Sequence, residues 1–112
     1  AGRVSASGWI GVDLDGTLAK YDGWREGVIG EPVGEMLFRV RKWLADGVEV
    51  RCMTARAADP FERARVRMWL DEHGLEAVSI TDRKDFAMIE LWDDRAVAVE
   101  QNTGRVLGGG RR

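Results

Sequence analysis

Two acidic pairs, Asp13 with Asp15 and Asp93 with Asp94, each stand at the end of a short apolar run. Thr54 closes another such run, and Lys84 follows a further one. Four carboxylates in one small site repel each other by roughly 1 kcal/mol per pair at 4 Å in water and by about 4 kcal/mol at the effective dielectric of a protein surface. Such a cluster requires a cation. A hard divalent ion with oxygen ligands fits, and Mg²⁺ takes one or two carboxylates together with waters and phosphate oxygens. Lys84 adds a further positive charge. Carboxylate, metal, lysine and hydroxyl together are the components that phosphoryl transfer asks for, because its transition state needs mainly positioning and charge neutralisation. Cys52 and His73 are the only residues of their types, so a His/Cys zinc site within one chain is excluded and any metal is held by oxygen.

These six residues act together only if the chain brings them to one place. Short apolar runs alternate with helix-period segments, the pattern of a parallel sheet with crossover helices. Residues 9–14 read as the first strand, and residues 21–30, rich in Gly and carrying Trp24, as a loop or small hairpin. Pro32 marks a helix start, and Val33, Met36, Leu37, Val40, Trp43 and Leu44 share one helical face before Gly47 ends it. Residues 48–53 form the second strand; Glu49 and Arg51 alternate with Val50 and Cys52, so one sheet face is expected to be thinly covered. Asp59 followed by Pro60 is a helix start, and Gly74 closes that helix. On it Glu62, Val66, Trp69, Leu70 and His73 share a face whose apolar members are expected to pack. A third strand is expected at 77–81, a short helical turn at 84–89, a fourth strand at 90–92, and a closing hairpin from 96–99 and 105–107 around Asn102-Thr103-Gly104. The leader up to Gly8 and the tail from Gly108 are expected to be loose. In an open parallel sheet, ligands bind beyond the carboxyl ends of the strands, so all six polar residues fall on one rim.

Asp13-Leu14-Asp15-Gly16-Thr17-Leu18, then Thr54 in Met53-Thr54-Ala55-Arg56, then Lys84, then Asp93-Asp94 resemble, in order, the motifs of the haloacid dehalogenase superfamily of phosphohydrolases. The resemblance covers roughly residues 9–96. It implies a three-layer, Rossmann-like α/β domain with a short flap after the first strand, a C-terminal hairpin and no cap domain. It implies that Asp13 attacks phosphorus to form an aspartyl-phosphate and binds Mg²⁺. Asp15 would protonate the leaving group, then activate water, with its backbone carbonyl on the metal. Thr54 and the amide of Ala55 would hold phosphate oxygens, Lys84 would bridge nucleophile and phosphoryl group, and Asp93 with Asp94 would complete the metal site. Asp15 favours a phosphatase, because related transport ATPases carry threonine there and the dehalogenases lack the aspartate.

Two readings of other classes stand beside this one. A receiver-like signalling module also uses Mg²⁺, acidic residues, a hydroxyl and a lysine, but its acceptor aspartate ends the third strand, whereas here the Asp-x-Asp lies on the first. A catalytically weak phosphate-binding protein would keep the fold with an incomplete set, and Asp13, Asp15, Thr54 and Lys84 are all present. Arg83 adjoins Lys84 as the alternative cation. Trp24 and Arg25 in the flap, with Arg56, are candidates for gripping the substrate beyond its phosphate.

The chain has 112 residues, 45% hydrophobic and 32% charged, with a formal net charge of −2, the balance of one soluble domain. No global positive field recruits nucleic acid or membrane, so nucleic acid enters only as a phosphate-bearing substrate, and the cytoplasm is the expected location. The partner expected is a phosphorylated substrate; an open site admits a bulky one or is covered by another subunit, and Val97, Val99, Val106 and Leu107 of the hairpin are candidates for pairing with a neighbour. Cys52 reads as a small core residue, His73 as a helix C-terminal residue, and most of the five tryptophans as core.

Overall fold

Val50 and Cys52 alternate with Glu49 and Arg51, and this period of two divides the sheet into a packed and a thin face. The structure, a computed structural model describing residues 8–110, contains a parallel sheet in the order β3-β2-β1-β4. Its strands are β1 at Trp9–Val12, β2 at Glu49–Met53, β3 at Ser79–Thr81 and β4 at Met88–Trp92. Helix α1 (Gly34–Ala45) connects β1 to β2, and α2 (Pro60–Glu72) connects β2 to β3. Ile10, Val12, Val50 and Cys52 form one core with Met36 and Val40 of α1 and with Val66, Trp69 and Leu70 of α2. Each large apolar side chain so buried contributes roughly 1.5–3 kcal/mol. Both helices therefore cover the same face.

On the opposite face the connection between β3 and β4 covers Trp9 and leaves Leu91 exposed. Its Asp85 accepts a hydrogen bond from Trp9 Nε1 at 2.8 Å and pairs with Arg51 at 3.5 Å, and the Arg51 guanidinium lies 4.3 Å from the centre of the Trp9 ring. Among the described residues the architecture thus has two layers where three were expected. Only residues 82–87 separate β3 from β4, too few for the dozen or more that a crossover helix takes. No cap domain interrupts the described residues, and none of their helices is long and apolar enough to cross a membrane.

Several boundaries differ from the sequence expectation, each for a local reason. Strand β1 stops at Val12, because Leu18 and Ala19 donate back to the carbonyl of Leu14 and fold residues 13–19 into a compact turn. Residues 84–89 are not a helical turn: the Asp85 carboxylate accepts from the Ala87 amide, and β4 begins at Met88. Pro32 precedes α1 without entering it, with Val33 as its N-cap. Asp59 caps α2 by accepting from the Phe61 amide, with Pro60 at the first position, as expected. Gly8 is buried against Ala87 and Ile89, Gly108 and Gly109 belong to strand β6, and Gly110 follows it; residues 1–7 and 111–112 of the expected leader and tail lie outside the described residues. The C-terminal hairpin is present as β5 (Val97–Val99) and β6 (Val106–Gly109), antiparallel and exposed along both strands.

The segment after β1 forms the flap. Its base is closed by backbone bonds from Lys20 to Glu31 and from Val33 to Leu18. A Cβ at Gly30 would collide with the Lys20 carbonyl, so glycine lets the two strands of the neck touch. Trp69 of α2 donates its indole N–H to Gly30 at 2.9 Å and pins that neck to the core.

Candidate functional site

Strand β1 lies inside the sheet, with β2 and β3 on one side and β4 on the other. The chain reverses its direction of travel between these two sides, and at such a switch the loops after neighbouring strands part and leave a crevice at their carboxyl ends. Asp13 follows β1 and Asp93-Asp94 follow β4 across this crevice. The Asp13 amide donates to the Trp92 carbonyl at 2.9 Å, which fixes the two strand ends in register. One carboxylate oxygen from each of Asp13, Asp93 and Asp94 lies within 4.8 Å of the others. Three of the four expected carboxylates therefore assemble from both ends of the chain, and the Asp15 side chain stands apart from them, bound by Arg56.

Two small contacts set its geometry. Thr17 Oγ1 donates to Asp94 Oδ1 at 3.1 Å and accepts from the Asp94 amide at 2.9 Å, while Asp93 Oδ1 accepts from the Arg95 amide at 2.8 Å. Gly16, with φ of +93°, turns the chain so closely under Asp94 that an added Cβ would stand 2.7 Å from its carboxylate. Gly16→Ala is therefore expected to destabilise the protein by about 1–3 kcal/mol through the left-handed backbone alone, and to weaken metal-dependent stabilisation by displacing Asp94. Thermal melts with and without Mg²⁺ check both effects.

Burial, and then the neighbouring charges of Asp93 and Asp94, push the Asp13 carboxyl up to about 7. The side chain is therefore half-protonated near neutrality. The folded protein holds this proton more tightly than the unfolded chain. Without metal, the stability from protonated Asp13 is fully present below the ordinary carboxylate range and is lost as pH rises through about 7. Melting temperatures in a chelator are expected to fall across that window for wild type relative to Asp13→Asn, and Mg²⁺ is expected to remove the difference. Parallel pH profiles of the two proteins would contradict it.

A cavity of about 500 Å³ opens above the cluster. Of the expected site residues, Asp13, Asp15, Trp24, Thr54, Ala55, Arg56, Asp93 and Asp94 line it, and Tyr21, Asp59, Glu62 and Arg95 join them. Among the described residues, six carboxylates and two guanidinium groups thus line it. Thr54 is buried, its amide donates to the Thr81 carbonyl at 2.9 Å, and its hydroxyl accepts from the Arg56 amide at 3.1 Å. Lys84 is exposed and does not line the cavity; Arg83 is exposed too and pairs with Asp82. Arg25 pairs with Asp22 at the flap surface and also stays outside.

Arg56 is the main departure from expectation. It is buried, and its fork grips Asp15 with two bonds, Nε to Oδ2 at 2.8 Å and Nη2 to Oδ1 at 3.0 Å. Its Nη1 donates to Glu62, its Nη2 also reaches the Val28 carbonyl at 2.9 Å, and Trp24 lies over it with the ring centre 4.5 Å away. Arg56 thus holds protein groups where a grip on substrate was expected. Glu62 is buried as well, beyond the apolar packing expected of its helix face. Burial opposes its ionisation, but the bonds from Arg56 and the Gly27 amide and the charge of Arg65 outweigh it and hold the carboxyl below its usual range. Cys52 is fully buried, and burial first, then Asp13 and Asp15, push its thiol up to about 12, which suits a core residue and no nucleophile.

No protein-family model, curated protein or solved structure matches this chain. The fold and site define a small α/β protein with a parallel four-stranded sheet and an acidic cluster at its carboxyl rim.

Proposed function

We propose that this chain is a Mg²⁺-dependent phosphomonoesterase that works through an aspartyl-phosphate on Asp13. The convergence of Asp13 with Asp93 and Asp94 at the β1–β4 switch, beside Asp15 and Thr54, carries this reading. The donor set is oxygen only, so the residues fit a hard divalent ion, and a bound cation would lower the proton affinity of Asp13 that burial first, and then the charges of Asp93 and Asp94, raise. Asp13, Asp93 and Asp94 would hold it, and when bound it would neutralise charge on the phosphate oxygens.

The chain's own groups supply the remaining chemistry. Asp13 attacks phosphorus with a carboxylate oxygen as the ester oxygen leaves. Asp15 gives that oxygen a proton and then takes one from the water that cleaves the acyl phosphate. The Arg56 fork uses one lone pair on each Asp15 oxygen and leaves another for that proton. The Thr54 hydroxyl and the Ala55 amide receive phosphate oxygens. Lys84, three residues beyond β3, is assigned to the phosphoryl group by the motif order alone. The open cavity and Trp24 suit a substrate whose leaving alcohol extends well beyond the phosphate, and a cytoplasmic location fits the single reduced Cys52.

A panel of sugar phosphates, nucleotides, phosphopeptides, 3′-phosphorylated DNA and a small aryl phosphate, assayed with Mg²⁺ and with excess EDTA, tests the reading. Hydrolysis that requires Mg²⁺ is expected. Full turnover in EDTA, or no hydrolysis of any member, would overturn it.

A further inference from the structure

Glu62 joins the flap to the arginine that holds Asp15. One oxygen pairs with Arg56, whose fork holds Asp15. The other accepts the amide of Gly27 in the flap at 3.0 Å and the Arg65 guanidinium at 3.1 Å. Arg56 returns to the same flap through the Val28 carbonyl and the Trp24 ring. Glu62 and Arg56 are both nearly inaccessible, 4% and 5% exposed, and no buried side-chain polar atom among the described residues lacks a partner. A buried ion pair often adds little net stability compared with a hydrophobic pair of similar volume. Its worth here lies in geometry. Two planar groups hold Asp15 and the flap in one arrangement, with the Trp24 ring against Arg56.

We propose that Glu62 is a positioning residue that couples the flap to Asp15 through Arg56, so that closure of the loop over a substrate and placement of the acid/base carboxylate are one event. This rests on the phosphatase reading. Misplacing a reacting group by about 1 Å can cost about 10²-fold in rate, and that is the loss expected for kcat in Glu62→Gln.

The test combines kinetics on a small aryl phosphate with hydrogen exchange of the segment 21–30. In Glu62→Gln the flap amides are expected to exchange at least about tenfold faster, with protection in β1 and β2 unchanged, as a freed loop opens independently of its core. The kcat should fall about 10²-fold while KM changes little. In an Asp15→Asn background the same substitution should cost almost nothing further, because residues acting as one unit are not additive. A purely structural role would instead give equal losses in both backgrounds. Should Glu62→Gln fail to fold, Arg56→Met with Glu62→Leu removes the buried pair together, leaves only the cavity-facing Asp15 carboxylate without its arginine, and carries the same expectations. Unchanged flap exchange, or additive losses, in an active enzyme overturns the coupling and leaves the phosphatase reading intact. A wild type that hydrolyses no phosphate ester overturns the reading and, with it, the coupling to catalysis.

Discussion

Asp13→Asn is expected to remove turnover, lowering kcat at least about 10²-fold on every substrate the wild type accepts. An amide keeps the shape of the side chain but cannot attack phosphorus. The fold should survive and even gain stability in a chelator near neutral pH. The substitution removes a carboxylate that burial and the charges of Asp93 and Asp94 disfavour when ionised, and the Asp13 amide bond to Trp92 is backbone and persists. The paired readout matters: lost activity with lost folding would say nothing of chemistry, whereas lost activity with a raised melting temperature assigns the loss to the reacting group. Turnover above about a hundredth of wild type would exclude covalent catalysis at Asp13.

Asp15→Asn is expected to cost roughly 10²–10⁴-fold in kcat, the usual range for general acid/base assistance. Its effect should depend on the leaving group. An activated aryl phosphate needs little protonation, so formation of the phosphoenzyme should be nearly spared and its hydrolysis should become slow. Beryllofluoride should still bind with Mg²⁺, because Asp13, Asp93 and Asp94 are untouched. The asparagine leaves Arg56 with one carboxylate partner, Glu62, in a buried site. A stability loss of about 1–3 kcal/mol from that unpaired donor set is therefore expected beside the kinetic one. Wild-type activity in this variant would make Asp15 an anchor for Arg56 and no more.

The parts of this molecule that follow from local chemistry were legible before its structure. The α1 face was written in the spacing of Met36 and Val40 with Val33, Leu37, Trp43 and Leu44 at their flanks, and the start of α2 in Asp59-Pro60. The rim of acidic residues followed from where apolar runs end. Of the five tryptophans, only Trp24 is largely exposed, in the flap. What escaped was side-chain pairing across long separations. Arg56 meets Asp15 over 41 positions, and nothing in periodicity says which carboxylate a buried arginine selects. Glu62 carried one usable signal, a charged residue on the apolar face of α2, which marks a buried partner more often than a misplaced surface group. The thin face of the sheet was visible in Glu49 and Arg51, yet three layers were expected; the count of residues between β3 and β4 decides against a covering helix there. Lys84 was assigned by order along the chain, and the side chain stands outside the cavity.

The most direct test of the central claim is to find the phosphoryl group on the protein. Asp15→Asn, mixed with Mg²⁺ and an activated aryl phosphate, quenched in acid within the first turnover and mapped by peptide mass, should carry one phosphoryl group on the peptide holding Asp13 and release it on treatment with hydroxylamine, as an acyl phosphate does. Release of the aryl alcohol by this variant and by wild type with no phosphoryl group on either protein, or with the group on a residue other than Asp13, would contradict the account.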